Sequence, residues 1–319
     1  MFTSRAATLA GWAAFLALAS APAHAIVGSS ADSLLSGAGV DYLNAVAKLT
    51  LTRSDGTYTC SGSLLASGLY VLTAAHCVTG ADGDATTSKI TLSWNEGEVK
   101  ATSTSYIVAT GWDGDLGEGN DLALIQLSSA VTGIDGYALY TGSALGEDVL
   151  IAGYGRTGTG STGSTGDSGT LYYGYNEYDA DGRVHQMTRV TDSIYLYDFD
   201  DGSRRTSLFG SSGLGSGLEA LIAPGDSGGA TLVYDGGVWY LAGVHSFIGC
   251  LSPNCAADSS FGDYAGDVSV YAQLDWLQGY VVSPVAAVPE PGNLTFFLAG
   301  LGTVLAASRA MLRSRSGPA

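Results

Sequence analysis

The chain has 319 residues, 46% of them apolar and only 13% charged, with 30 acidic against 13 basic side chains and a formal net charge of −17. That length and apolar content can bury a core for two packed units. The acidic balance leaves no basic patch for phosphates and argues against a nucleic-acid partner. Many short apolar runs between Gly, Ser, Thr and Asp clusters predict an all-β fold.

Residues 1–25 read as a secretory signal. Arg5 supplies the positive n-region, Leu9 to Leu18 the apolar core, and Ala23-His24-Ala25 an A-x-A cleavage site. The apolar run is short for a membrane span, and export makes disulfides permissible. Cleavage there would expose Ile26-Val27-Gly28. Strands are then expected over Tyr58 to Leu65, Leu69 to Ala74, Lys89 to Trp94, Val99 to Ala109 and Leu122 to Leu127. His76 follows the second of these and adjoins Cys77. Of the other histidines, His24 leaves with the signal, His185 lies in a polar stretch, and His245 reads as a packed residue on an apolar strand. Asp121 opens an apolar strand, so its carboxylate can be buried yet hydrogen-bonded, whereas Asp113 and Asp115 sit in a Gly-rich loop and read as solvated.

Further along, the strands Asp148 to Tyr154 and Leu171 to Tyr178 flank a run of Gly, Ser and Thr from Thr157 to Thr170. Such composition reads as a flexible surface loop without chemistry. The run Asp198-Phe199-Asp200-Asp201-Gly202 offers oxygen ligands but lacks EF-hand spacing, so a solvated acidic turn is expected, with no metal and no cofactor. In Gly225-Asp226-Ser227-Gly228-Gly229 a serine sits uncrowded at a sharp turn, where glycines let backbone N–H groups point at a developing oxyanion. A hairpin follows, Ala230 to Tyr234 and Val238 to His245, across Asp235-Gly236-Gly237. Cys60, Cys77, Cys250 and Cys255 allow three connectivities, and the last two are near enough to close a small loop. Val270, Leu274, Leu277 and Val281 have helical spacing.

The C-terminus carries Val288-Pro289-Glu290-Pro291, an uncharged stretch from Gly292 to Ser308, and then Arg309, Arg313 and Arg315. As a helix that stretch would reach about 25 Å, slightly short of a bilayer core. It resembles the PEP-CTERM sorting signals of Gram-negative bacteria. The resemblance implies a removable tag held in the inner membrane, an exosortase-type partner and a destination in the cell envelope or outside it.

A neutral serine hydroxyl needs an adjacent base, usually a histidine held in one tautomer by a buried carboxylate. The segments Thr73-Ala74-Ala75-His76-Cys77, Asp121-Leu122-Ala123-Leu124-Ile125 and Gly225 to Gly229 stand in the order His, Asp, Ser. From about Ile26 to about Val282 the chain resembles the trypsin/chymotrypsin-like serine proteases. The resemblance implies two antiparallel six-stranded β-barrels, the first over 26–140 and the second with a closing helix over 141–283, followed by the sorting tail at 284–319. It implies a serine endopeptidase acting on protein or peptide substrates, with Ser227 as nucleophile, His76 as general base, Asp121 orienting it, and the N–H groups of Gly225 and Ser227 as oxyanion hole. It also implies a Cys60–Cys77 disulfide and an activation pair between the Ile26 ammonium and Asp226. Leu221 falls at the base of the primary pocket and Ser246-Phe247-Ile248 on the substrate-pairing strand, so cleavage after small or medium apolar residues is expected. A competing reading is a catalytically idle surface module on the same scaffold.

Overall fold

The computed structural model describes residues 26–29, 35–79, 87–94, 97–183, 191–210, 214, 218–251 and 255–281. The signal at residues 1–25, the sorting tail at 284–319 and His185 lie outside the described residues. Two large antiparallel sheets dominate, both curled as half-barrels.

The first sheet has seven strands. In chain order these are β3 (Val46–Arg53), β4 (Gly56–Leu64), β5 (Tyr70–Thr73), β6 (Lys89–Trp94), β7 (Val99–Ser103), β8 (Tyr106–Val108) and β9 (Ala123–Gln126), arranged β7-β6-β3-β4-β5-β9-β8. Leu49 and Leu51 on β3, and Ile90 and Leu92 on β6, alternate into the core with a period of two, as half-buried strands require. The second sheet has eight strands: β2 (Leu35–Ser36), β10 (Asp148–Gly153), β12 (Tyr172–Glu177), β13 (Ala180–Asp181), β14 (Ile194–Asp198), β16 (Ala230–Asp235), β17 (Val238–Cys250) and β18 (Asp263–Ser269). β16 and β17 pair from Asp235 to Val238 across Gly236 and Gly237, both at positive φ, as a two-residue primed turn demands. The expectation of six strands per barrel holds once the short edge strands β2, β8 and β13 are set aside. One apolar cluster runs through both sheets, with Trp94 and Tyr154 among its largest buried members.

A third, three-stranded sheet departs from the sequence reading. β1 (Ile26–Gly28) lies between β11 (Thr157–Thr159), to which it is parallel, and β15 (Ala220–Leu221), to which it is antiparallel. The Gly/Ser/Thr run is therefore no free loop, because β11 is the docking strand of the N-terminus. Backbone pairing supplies the order that its side chains could not signal. β1 and β2 both join partners at or beyond Thr157, after the last strand of the first sheet, so the segment before β3 does not build that sheet.

The chain closes with α2 (Leu274–Val281), which buries Leu277. No helix among the described residues is long and apolar enough to cross a membrane. Two disulfides are formed, Cys60–Cys77 and Cys250–Cys255.

Candidate active site

His76 lies in α1 (Ala75–Thr79), a single turn that directly follows β5. Five residues cannot sustain a helix alone. The Cys60–Cys77 bridge ties this one to β4, and the Arg53 guanidinium donates to the carbonyls of His76 and Cys77 while lying 4.6 Å above the Tyr58 ring. Asp121, just before β9, is fully buried. It accepts hydrogen bonds from the His76 backbone N–H at 2.8 Å, from His76 Nδ1 at 2.8 Å and from Ser246 Oγ at 2.6 Å. Three donors satisfy the buried carboxylate without a lysine or arginine among them. With Nδ1–H engaged, Nε2 is left as the free base of an imidazole that remains 20% exposed.

Ser227 sits in the turn between β15 and β16, which is docked on both sheets. The Ser61 N–H donates to the Ser227 carbonyl at 2.9 Å, the Ser61 hydroxyl donates to the Gly225 carbonyl at 3.0 Å, and the Gly228 N–H donates to the His245 carbonyl at 2.7 Å. Gly228, at φ +79°, is pressed against Thr73, Ser61 and Ala74, where a Cβ would collide. The Cys77 sulfur lies 3.6 Å from the Ser227 carbonyl oxygen and 4.0 Å from His76 Nε2, so imidazole and serine are neighbours across the two sheets. Within the turn, the N–H groups of Asp226, Gly228 and Gly229 are taken by carbonyls. Those of Gly225 and Ser227 find no acceptor among the described residues. Nor does the Ser227 hydroxyl form a hydrogen bond there; such contacts are commonly loose until substrate binds.

Asp226 points away from Ser227 and is fully buried. Its carboxylate accepts from the N–H of Gly155 at 2.7 Å, of Ala223 at 2.9 Å and of Ile26. A Cβ on Gly153 or Gly155 would occupy the carboxylate's space, which is why both positions are glycine. Burial pushes Asp226 up to about 6, against the opposing pull of His245 and these N–H donors.

The expected pocket residues are brought near but not as a simple wall. Leu221 is fully buried, paired with Val27 and packed in the apolar cluster around Ile26 and Ile222. Ser246 occupies a bulge in β17, between His245 and Phe247, that turns its hydroxyl to Asp121. The Phe247 ring covers Gly266 and meets Tyr264 edge-on at 6.4 Å, while Ile248 is half-buried. His245 is packed, as expected, but also paired: its Nδ1 lies 3.0 Å from Asp267. That carboxylate also accepts from Tyr178 at 2.7 Å, Tyr197 at 3.2 Å and Thr231. The roles of Ser246 and Asp267 escaped the sequence reading. An acid inside the otherwise uncharged stretch Tyr264 to Ser269 was the available signal.

The acidic turn is solvated only at Asp201 and Gly202, which are exposed. Asp198 and Asp200 are buried, and Glu219, from a distant segment, is buried with them. Desolvation raises Asp198 to about 6 and Glu219 to about 7. Near His76, the sulfurs of Cys60 and Cys77 are consumed by their disulfide and are not free to bind metal.

A trypsin family profile matches residues 42–276. Among solved structures, HL collagenase superposes with a TM-score of 0.54 over 77% of this chain and 96% of its own, at 22% identity. The protease Anisep from Arthrobacter nicotinovorans superposes with a TM-score of 0.50 over 74% of this chain and 93% of its own, at 16% identity. At these identities the two structures speak to the fold, while the profile spans the first sheet, all of the second but β2, and every residue of the His76, Asp121 and Ser227 constellation. The chain belongs to the trypsin family of serine proteases.

Proposed function

We propose that the chain is an exported endopeptidase that cleaves peptide bonds through an acyl-enzyme on Ser227. Ser227 Oγ attacks the scissile carbonyl carbon as its proton passes to His76 Nε2, and buried Asp121 stabilises the imidazolium through Nδ1–H. The oxyanion accepts hydrogen bonds from the N–H groups of Gly225 and Ser227, each worth about 3 kcal/mol in the transition state. The imidazolium then protonates the leaving amine and the C–N bond breaks. Water, with His76 again as base, releases the acid product. The observation that carries this reading is the buried Asp121–His76 pair set against a turn with two N–H donors that meet no acceptor among the described residues. A fluorophosphonate probe tests it. Wild-type protein should be labelled and Ser227→Ala should not; unlabelled but correctly processed wild type would point to an idle scaffold.

Export is proposed to perform activation as well. Cleavage after Ala25 would convert the Ile26 amide into an ammonium facing Asp226. Ile26 is fully buried, donates its N–H to Asp226, and has φ +65°. A β-branched residue is strained there, and removing the preceding carbonyl abolishes that torsion. A mature N-terminus other than Ile26 in the secreted protein would sink the proposal.

The C-terminal segment is assigned as a PEP-CTERM-type signal for exosortase-type machinery, with transient membrane association before processing. Cleavage after small or medium apolar residues is proposed because Leu221 is apolar and Phe247 and Ile248 crowd the neighbouring strand. Preference for Arg or Lys in a peptide library would overturn it.

A further inference from the structure

Asp198 at the end of β14, Asp200 in the loop that follows, and Glu219 just before β15 each offer a carboxylate oxygen, and the three oxygens lie within 4.8 Å of one another. The residues are only 1%, 6% and 2% exposed. Two buried acids and a third from nearly twenty residues on would repel one another, and the leading charges acting on Asp198 and Glu219 are themselves carboxylates. Local N–H donors take part of each group. Leu208 and Phe209 donate to Asp198 Oδ2, Gly202 to Asp200 Oδ1, Asp200 to Glu219 Oε2 and Leu214 to Glu219 Oε1. Asp198 Oδ1, the oxygen those donors do not reach, is buried without a hydrogen-bond partner among the described residues. A buried carboxylate oxygen with no donor is costly unless an ion meets it.

We propose that Asp198, Asp200 and Glu219 form a binding site for a hard divalent cation, calcium by preference. The ligand set is all oxygen, and carboxylates drawn from separate segments suit calcium's six to eight ligands better than the strict octahedron of magnesium. Carbonyls and water would complete the shell. The site is independent of the catalytic groups, yet it is wired towards them. Glu219 precedes β15, its carbonyl accepts from the Ser29 N–H and hydroxyl, and β15 pairs with β1 and leads into the Ser227 turn. A bound cation would therefore tie Asp198 and Asp200, at and just after the end of β14, to the strand that receives the N-terminus.

The test uses Ser227→Ala protein, to prevent autolysis, freed of metal with a chelator and titrated with calcium chloride. Calorimetry should report one site, and saturating calcium should raise Tm by roughly 5 °C or more, with magnesium giving a smaller shift. Asp200→Asn and Glu219→Gln, which preserve shape and remove charge, should each weaken calcium binding by about tenfold or more. No binding by folded protein at 10 mM calcium (a concentration of about this order exceeds even weak extracellular sites), or undiminished binding in both variants, overturns the proposal. Should the variants fail to fold, crystals soaked in terbium chloride decide. Anomalous density among the three carboxylates supports the site, and density only elsewhere overturns it.

Discussion

At the scale of single residues, the site depends on how one buried carboxylate is satisfied. Asp121 takes two hydrogen bonds from His76 and a third from Ser246. Removing the Ser246 hydroxyl leaves the imidazole contact in place but weakens the hold on the orientation of the carboxylate. Ser246→Ala is expected to lower kcat about tenfold, corresponding to about 1.4 kcal/mol, with KM little changed. Steady-state kinetics on a peptide ester checks this, and a change confined to KM would instead make Ser246 a substrate contact. His76, Asp121 and Ser227 were legible in the sequence because the three motifs that hold them stand in the order His, Asp, Ser and together carry the resemblance to trypsin-like serine proteases. Ser246 was not legible as a partner of Asp121, because only the bulge in β17 aims its hydroxyl there.

At the scale of elements, β11 shows that composition alone misjudges a glycine-rich run. Thr157–Thr159 pairs with Ile26–Gly28, and the Gly160 N–H extends the contact by donating to the Gly28 carbonyl at 2.9 Å. Gly158 is closely overlaid by the Gly163 carbonyl, so the turn that folds back over β11 tolerates no side chain. Gly158→Ala should force the two apart and cost about 1–3 kcal/mol, the usual range for overpacking. The expected readouts are a lower urea midpoint and slower fluorophosphonate labelling, because the seat of the N-terminal strand is disturbed. Unaltered labelling in a destabilised variant would separate β11 from the active site. The larger strands were legible from their period-two alternation, whereas β11 and β15 were not, since each is two or three residues long and exists only through pairing with β1.

At the scale of the whole molecule, the N-terminus and the oxyanion turn share one buried acid. Before cleavage Asp226 is held at about 6 against an ordinary 3.8, so the folded chain takes up a proton that the unfolded chain does not. Its contribution to stability therefore grows as pH falls through 6 and is complete near 4, a gain on the order of 3 kcal/mol. An ammonium on Ile26 would favour the charged carboxylate and reverse the sign, so that the same fall in pH removes stability. Urea midpoints at pH 4.5 and 7.5 for the chain starting at Ile26, and for a chain retaining residues 21–25, should therefore diverge. The extended chain should gain relative to the mature one in acid, and the other carboxylates cancel in the comparison. Parallel trends in the two chains would separate Ile26 from Asp226.

The amino-acid sequence by itself determined the all-β class, the main strands, the closing helix and the membership of His76, Asp121 and Ser227 in one constellation. The class and elements follow from local alternation and turn chemistry, which neighbours in the chain are enough to write, and the constellation from the resemblance that its three motifs carry together. Only the tertiary structure decided that Ser246 serves Asp121, that His245 is paired with Asp267, that the Ile26 strand is seated between β11 and β15, and that Asp198, Asp200 and Glu219 converge in one buried cluster. Each of these joins segments far apart in the chain, and burial, which sets their charge and hydrogen bonding, exists only after the two sheets have closed on one another.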